Sequence, residues 1–89
     1  MAAPDKRSVM RETLAALEHE QWIEWSKTIA NVLQKYTGDP DVKAHLERWE
    51  QLWVPYADLT EEQKDQDRVW ADKILVQLEA CAIDEPPVV

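Results

Sequence analysis

Val54-Pro55-Tyr56-Ala57-Asp58-Leu59-Thr60-Glu61-Glu62-Gln63-Lys64-Asp65-Gln66-Asp67-Arg68 packs a stiff loop, a helix start and an acidic first turn into fifteen residues. Pro55 drives the residue before it out of helical geometry, so any upstream helix must stop short of it. Thr60 and Gln63, three apart, form a capping box in which each side chain meets the other's backbone N–H. Glu61 and Glu62 then fall where the positive end of a helix dipole favours negative charge. The stretch therefore separates two helices and sets where the last one begins.

Downstream, Trp70, Ile74, Leu78 and Cys81 recur at helical spacing, which predicts a helix to about Ala82. Upstream, Thr37-Gly38-Asp39-Pro40 is the other punctuation. Gly38 fits the left-handed position past a helix end, Asp39 an N-cap, and Pro40 the first helical position. The helix after it presents Val42, Leu46, Trp49 and Trp53 on one face. The first helix is expected from about Ser8 to Tyr36, with a seam of Met10, Leu14, Leu17, Trp25, Ile29, Val32 and Tyr36. No segment alternates as a strand would. The expected fold is all-α: a three-helix bundle-like domain over residues 1–83, with a loose tail over 84–89.

A chain of 89 residues buries only about 60–65% of its unfolded surface, so its core is small. Five Trp and two Tyr with no Phe let few side chains cover much area. The net charge of −8 is uneven: residues 1–36 balance, and residues 37–89 are strongly acidic. That argues against bulk nucleic-acid binding, which needs Lys and Arg to displace counterions. A single cysteine suits a reducing compartment. There is no signal segment and no run of 18 apolar residues, so a cytoplasmic protein that does not enter membranes is expected. Second apolar lines, Val9, Ala16, Ile23 and Ala30 on the first helix and Val69, Val76, Ala80 and Ile83 on the last, predict that more surface is covered by a protein partner or a second copy.

Several polar residues fall where apolar ones belong. Asp67 lies in the last helix's inward stripe and must find donors: Tyr56, an indole, or N–H groups of the Val54–Asp58 loop. On that basis Asp67→Ala is expected to cost about 3 kcal/mol. Glu18 poses the same puzzle on the first helix, with His19 and Trp22 at the edge of its seam. Glu18, His19 and Asp67 are therefore read as structural polar residues. Lys64 and Arg68 share one helix flank and could hold a small anionic, nucleotide-like ligand beside Tyr56, with Trp22 as a stacking face. On that reading Arg68→Ala abolishes binding and leaves the fold intact. His19, His45 and Cys81 are not at metal-ligand spacing, so no metal or cofactor is expected. No nucleophile–base signature and no phosphate-cradling glycine loop points to an enzyme.

Leu14-Ala15-x-x-x-His19-Glu20-x-Trp22, then Val54-Pro55-Tyr56-x-x-Leu59, then Lys64-x-x-Asp67-Arg68 together resemble the small domain named after ryanodine receptors, also found in bacteria and phages. The chain lacks that family's Gly-Trp-aromatic-Gly segment. It carries Glu50-Gln51-Leu52-Trp53 in place of the family's usual His-Pro-Cys-Leu, and a helix is expected to fill that space. The resemblance implies a non-enzymatic accessory module that binds a small ligand or, alternatively, a protein or its own copies.

Overall fold

The computed structural model describes residues 5–84, and side chains as far as Cys81. The tail expected beyond Asp84 lies outside the described residues. Three α-helices follow one another: α1 over Lys6–Leu33, α2 over Pro40–Gln51 and α3 over Glu61–Asp84. No strand occurs among the described residues. The fold is all-α and bundle-like, as the spacing predicts.

Local chemistry explains the boundaries. Asp5 caps α1, its carboxylate accepting from the Ser8 amide at 2.7 Å, so the helix begins before the expected Ser8. It closes in a 3-10 turn over Gln34–Tyr36. Gly38 does not take the left-handed position expected of it; no described glycine has positive φ. The chain turns instead through right-handed residues, and Asp39 accepts from the Asp41 amide at 2.8 Å to start α2. A second 3-10 turn, Tyr56–Asp58, follows Pro55. The capping box is present: the Thr60 amide donates to Gln63 Oε1 at 3.0 Å, and the Gln63 amide donates to Thr60 Oγ1 at 3.2 Å. Thr60→Ala is expected to cost about 1 kcal/mol. A urea midpoint that does not move, at unchanged slope, would show that this cap contributes nothing.

α1 is the spine. α3 runs antiparallel beside its first half, as the pairs Arg7–Glu79, Arg11–Asp72, Glu12–Arg68 and His19–Asp67 show. α2 lies against its second half, with Trp49 beside Trp22 and Trp25 and the Trp53 indole donating to Ser26 Oγ at 2.9 Å. The core is Ala15, Ala30, Leu46, Leu59, Ala71 and Leu75, with His19 and Ser26 buried among them.

This corrects the expected seam. Met10, Leu17, Trp25, Val32 and Tyr36 of the first apolar stripe, and Trp70 and Leu78 of the last, are 47–58% exposed. Cys81 is exposed as well. The stripe that faces inward is Ala15, His19, Trp22, Ser26 and Ala30, at steps of four, three, four and four. Its small residues let the helices approach, and its polar ones find partners: His19 the Val54 carbonyl, Ser26 the Trp53 indole. Hydrophobicity alone selects the neighbouring stripe because it cannot see those partners.

The molecule measures 62 × 36 × 15 Å. α2 and α3 each pack on α1, which leaves a flat, open arrangement. The radius of gyration is 17.7 Å, against about 12 Å for a compact chain of this length.

Candidate functional site

Two polar regions flank the α1–α3 contact. The first gathers around Arg68. Its guanidinium lies 2.7 Å from Glu12, 2.8 Å from Glu61 and 2.9 Å from Asp65. Tyr56 donates a short hydrogen bond to Glu12. Lys64 stands 3.6 Å from Glu61, with its ammonium 5.4 Å from the centre of the Tyr56 ring. Hydrogen bonds from Arg68, then from Tyr56, hold the Glu12 carboxyl below the usual range. Burial, and then the same bond to Glu12, push the Tyr56 hydroxyl up to about 12.

Tyr56, Lys64 and Arg68 thus do come together, as the helix flank predicts, but each is already engaged. Three carboxylates surround Arg68, and one of them also meets Lys64. An anion placed there would have to displace those partners and would meet their charge. Trp22 is not beside them. It stacks on His19 at 6.1 Å and meets Trp49 edge-on at 6.0 Å.

The second region is a groove of about 380 Å³ where α1, α2 and α3 meet. Trp22, Trp49 and Trp70, with Leu52 and Leu59, form its apolar walls. Glu18, His19, Gln63, Gln66 and Asp67 form its polar lining. Each helix contributes through ordinary periodicity: Glu18 and Trp22 are one turn apart on α1, Gln63, Asp67 and Trp70 successive turns on α3. Sequence reading names Trp22, Glu18, His19 and Asp67 but misses Trp49, Trp70, Gln63 and Gln66. The available signal is the placement of Gln63, Asp67 and Trp70 on one flank of α3.

His19 anchors the groove's floor. Its Nε2 lies 2.7 Å from the Val54 carbonyl, which can only accept, so that nitrogen carries a proton. Nδ1 faces Asp67 Oδ2 at 3.5 Å. The Asp67 carboxylate is mostly buried, but no hydrogen bond from Tyr56, an indole or the Val54–Asp58 loop reaches it among the described residues, contrary to expectation. Its link to the loop passes through His19. Burial raises the Asp67 carboxyl above its usual range; His19 opposes this, and Glu18 adds to it. The charged form of Asp67 is thus incompletely compensated, and Asp67→Ala is expected to cost less than the figure set by a satisfied network.

Among the described residues, no group of three or more His, Cys, Asp or Glu is placed to hold a metal ion. None of their helices is long and apolar enough to cross a membrane. Fold and groove together define a flat, all-helical domain with an aromatic and acidic cleft. No protein-family model, curated protein or solved structure matches the chain.

Proposed function

We propose that this chain is a non-enzymatic interaction module that works as a homodimer, a second copy covering its open apolar face. The observation that carries this reading is the flat, open packing of α2 and α3 on α1. Domains bury apolar stripes between at least two layers, and here the strongest stripes of α1 and α3 lie open. The chain exposes 7137 Å². A monomeric protein of 10.4 kDa exposes about 5,400 Å² by the usual scaling. Covering that excess on both copies would bury roughly 3,500 Å² in total, which lies in the range of permanent homodimers. Met10, Leu17, Trp25 and Val32 of α1, with Leu78 of α3, supply the contact.

A binding role rather than catalysis is also supported by His19. Both of its ring nitrogens face protein partners, so it is not held ready as a general base. The resemblance to ryanodine-receptor-type domains points to the same class, an accessory module of the bacterial or phage kind. A cytoplasmic setting, where Cys81 stays a thiol, belongs to the same proposal.

The test is sedimentation of wild type and Leu17→Glu over a range of concentrations. Wild type is expected at twice the 10.4 kDa chain mass, and the variant is expected to shift toward the single chain. A folded 10.4 kDa species at about 100 µM, well above the Kd of a stable interface of this size, would defeat the homodimer.

A further inference from the structure

We propose that the groove between the three helices binds a small organic ammonium ion, with its charged head between Glu18 and Asp67 and its apolar substituents against Trp22 and Trp49. This goes beyond self-association and does not depend on it.

Size, lining and charge each contribute. The groove's 380 Å³ falls in the range of about 300–1,000 Å³ used for small ligands. Three indoles line it, and Trp is the best face for a cation because its ring quadrupole is the strongest of the aromatic side chains. Two carboxylates share the lining, and neither Lys nor Arg does. Arg68 is spent on Glu12, Glu61 and Asp65, Lys64 on Glu61 and Arg11 on Asp72, while Lys73 lies over the Trp70 ring at 4.2 Å, so Trp22 and Trp49 are the faces left for a ligand cation.

The two carboxylates are the least satisfied charges of the site. Asp67 has only His19 beside it, at 3.5 Å. Glu18 makes no ion pair or side-chain hydrogen bond among the described residues. Burial disfavours the Asp67 charge, and Glu18 disfavours it further. A cation seated between them would offset both penalties, whereas an anion would add a third negative charge to a partly desolvated site. A neutral aromatic ligand would fill the space and leave the carboxylates as they are. The Gln66 carboxamide can accept from the N–H of a primary head, and the indole faces can meet a quaternary one, so both heads fit the lining.

The probe is choline, titrated against its neutral carbon isostere 3,3-dimethylbutan-1-ol, with adenosine monophosphate as the anionic arm and potassium chloride as the ionic-strength control. The readout is the indole N–H resonances of the full chain, with the sedimenting mass measured on the same samples. Choline is expected to shift several indole signals saturably, and the isostere to bind about tenfold more weakly or worse, the difference a partly desolvated cation–π and ion-pair contact provides. Glu18→Gln and Asp67→Asn, which keep side-chain shape, are each expected to weaken choline severalfold. Equal binding by the isostere, or wild-type binding by Glu18→Gln, overturns the ammonium assignment while leaving the groove as a site. Shifts from adenosine monophosphate alone overturn it in favour of an anion. No saturation by any probe at about 20 mM, where even a millimolar Kd would show, removes the site, and the sedimenting mass then judges the homodimer separately.

Discussion

His19→Ala is expected to destabilise the folded chain by about 3–4 kcal/mol, the largest effect of any single substitution here. His19 is 4% exposed and ties α1 to α3 and to the loop that joins α2 and α3. It stands on α1, holds the Val54 carbonyl ahead of the Pro55 turn, and faces Asp67 on α3. Alanine leaves a void, an unpaired carbonyl and a mostly buried carboxylate without its only nearby cation-forming group. His19→Gln keeps a donor of similar reach and should recover part of the loss. Urea denaturation at fixed protein concentration measures both variants, since an associating chain's stability depends on concentration. An alanine midpoint within error of wild type, at the same slope, would mean that His19 merely fills space.

Arg68→Ala should cost about 2–3 kcal/mol. Removing one partner of a fully buried ion pair costs about 3–5 kcal/mol, but the acids here are half-exposed or more, and solvent screens them. The Arg68 side chain is only 13% exposed, and its loss leaves Glu12, Glu61 and Asp65 facing one another. This corrects the expectation that Arg68 could be removed without cost to the fold. The pH dependence tests the same point. Glu12 is held below its ordinary value of 4.5, chiefly by Arg68 and then by Tyr56. Its contribution is therefore present above that pH and is lost as pH falls through the lowered value. Asp67 runs the other way, because its carboxyl is raised: acid relieves its buried charge. At the alkaline end, Tyr56 is raised from 10.0 to about 12, so stability declines as pH climbs above 10.0. Arg68→Ala should flatten the acid limb that Glu12 creates. An acid limb of wild-type steepness in the variant would place the Glu12 effect elsewhere.

The placement of Asp67 on α3 could be read from the chain, because a helical register sets which residues share a flank. Its partner could not. Register points to donors in the adjacent loop, whereas the group it faces, His19, is 48 residues away on α1 and bridges to that loop on its behalf. The anion site failed to stand clear for a related reason. Lys64 and Arg68 do share a flank, but Glu12, which engages Arg68, comes from another helix.

By itself the sequence determined the local events: the Thr60–Gln63 box, the Asp39–Pro40 start, the Pro55 stop, and three helices between them. Each is written in side chains no more than four residues apart, where hydrogen-bond reach and fixed dihedrals act without help from the rest of the chain. Only the tertiary structure decided which stripe of α1 turns inward. The Met10–Leu14–Leu17 stripe is the more apolar, yet the Ala15–His19–Ser26 stripe is buried, because its small side chains admit close helix approach and its polar atoms meet Val54 and Trp53. The groove is tertiary too. Glu18 and Trp22 come from α1, Trp49 from α2, and Asp67 and Trp70 from α3. Their convergence depends on how α2 and α3 pack on α1, which periodicity along a single helix does not encode.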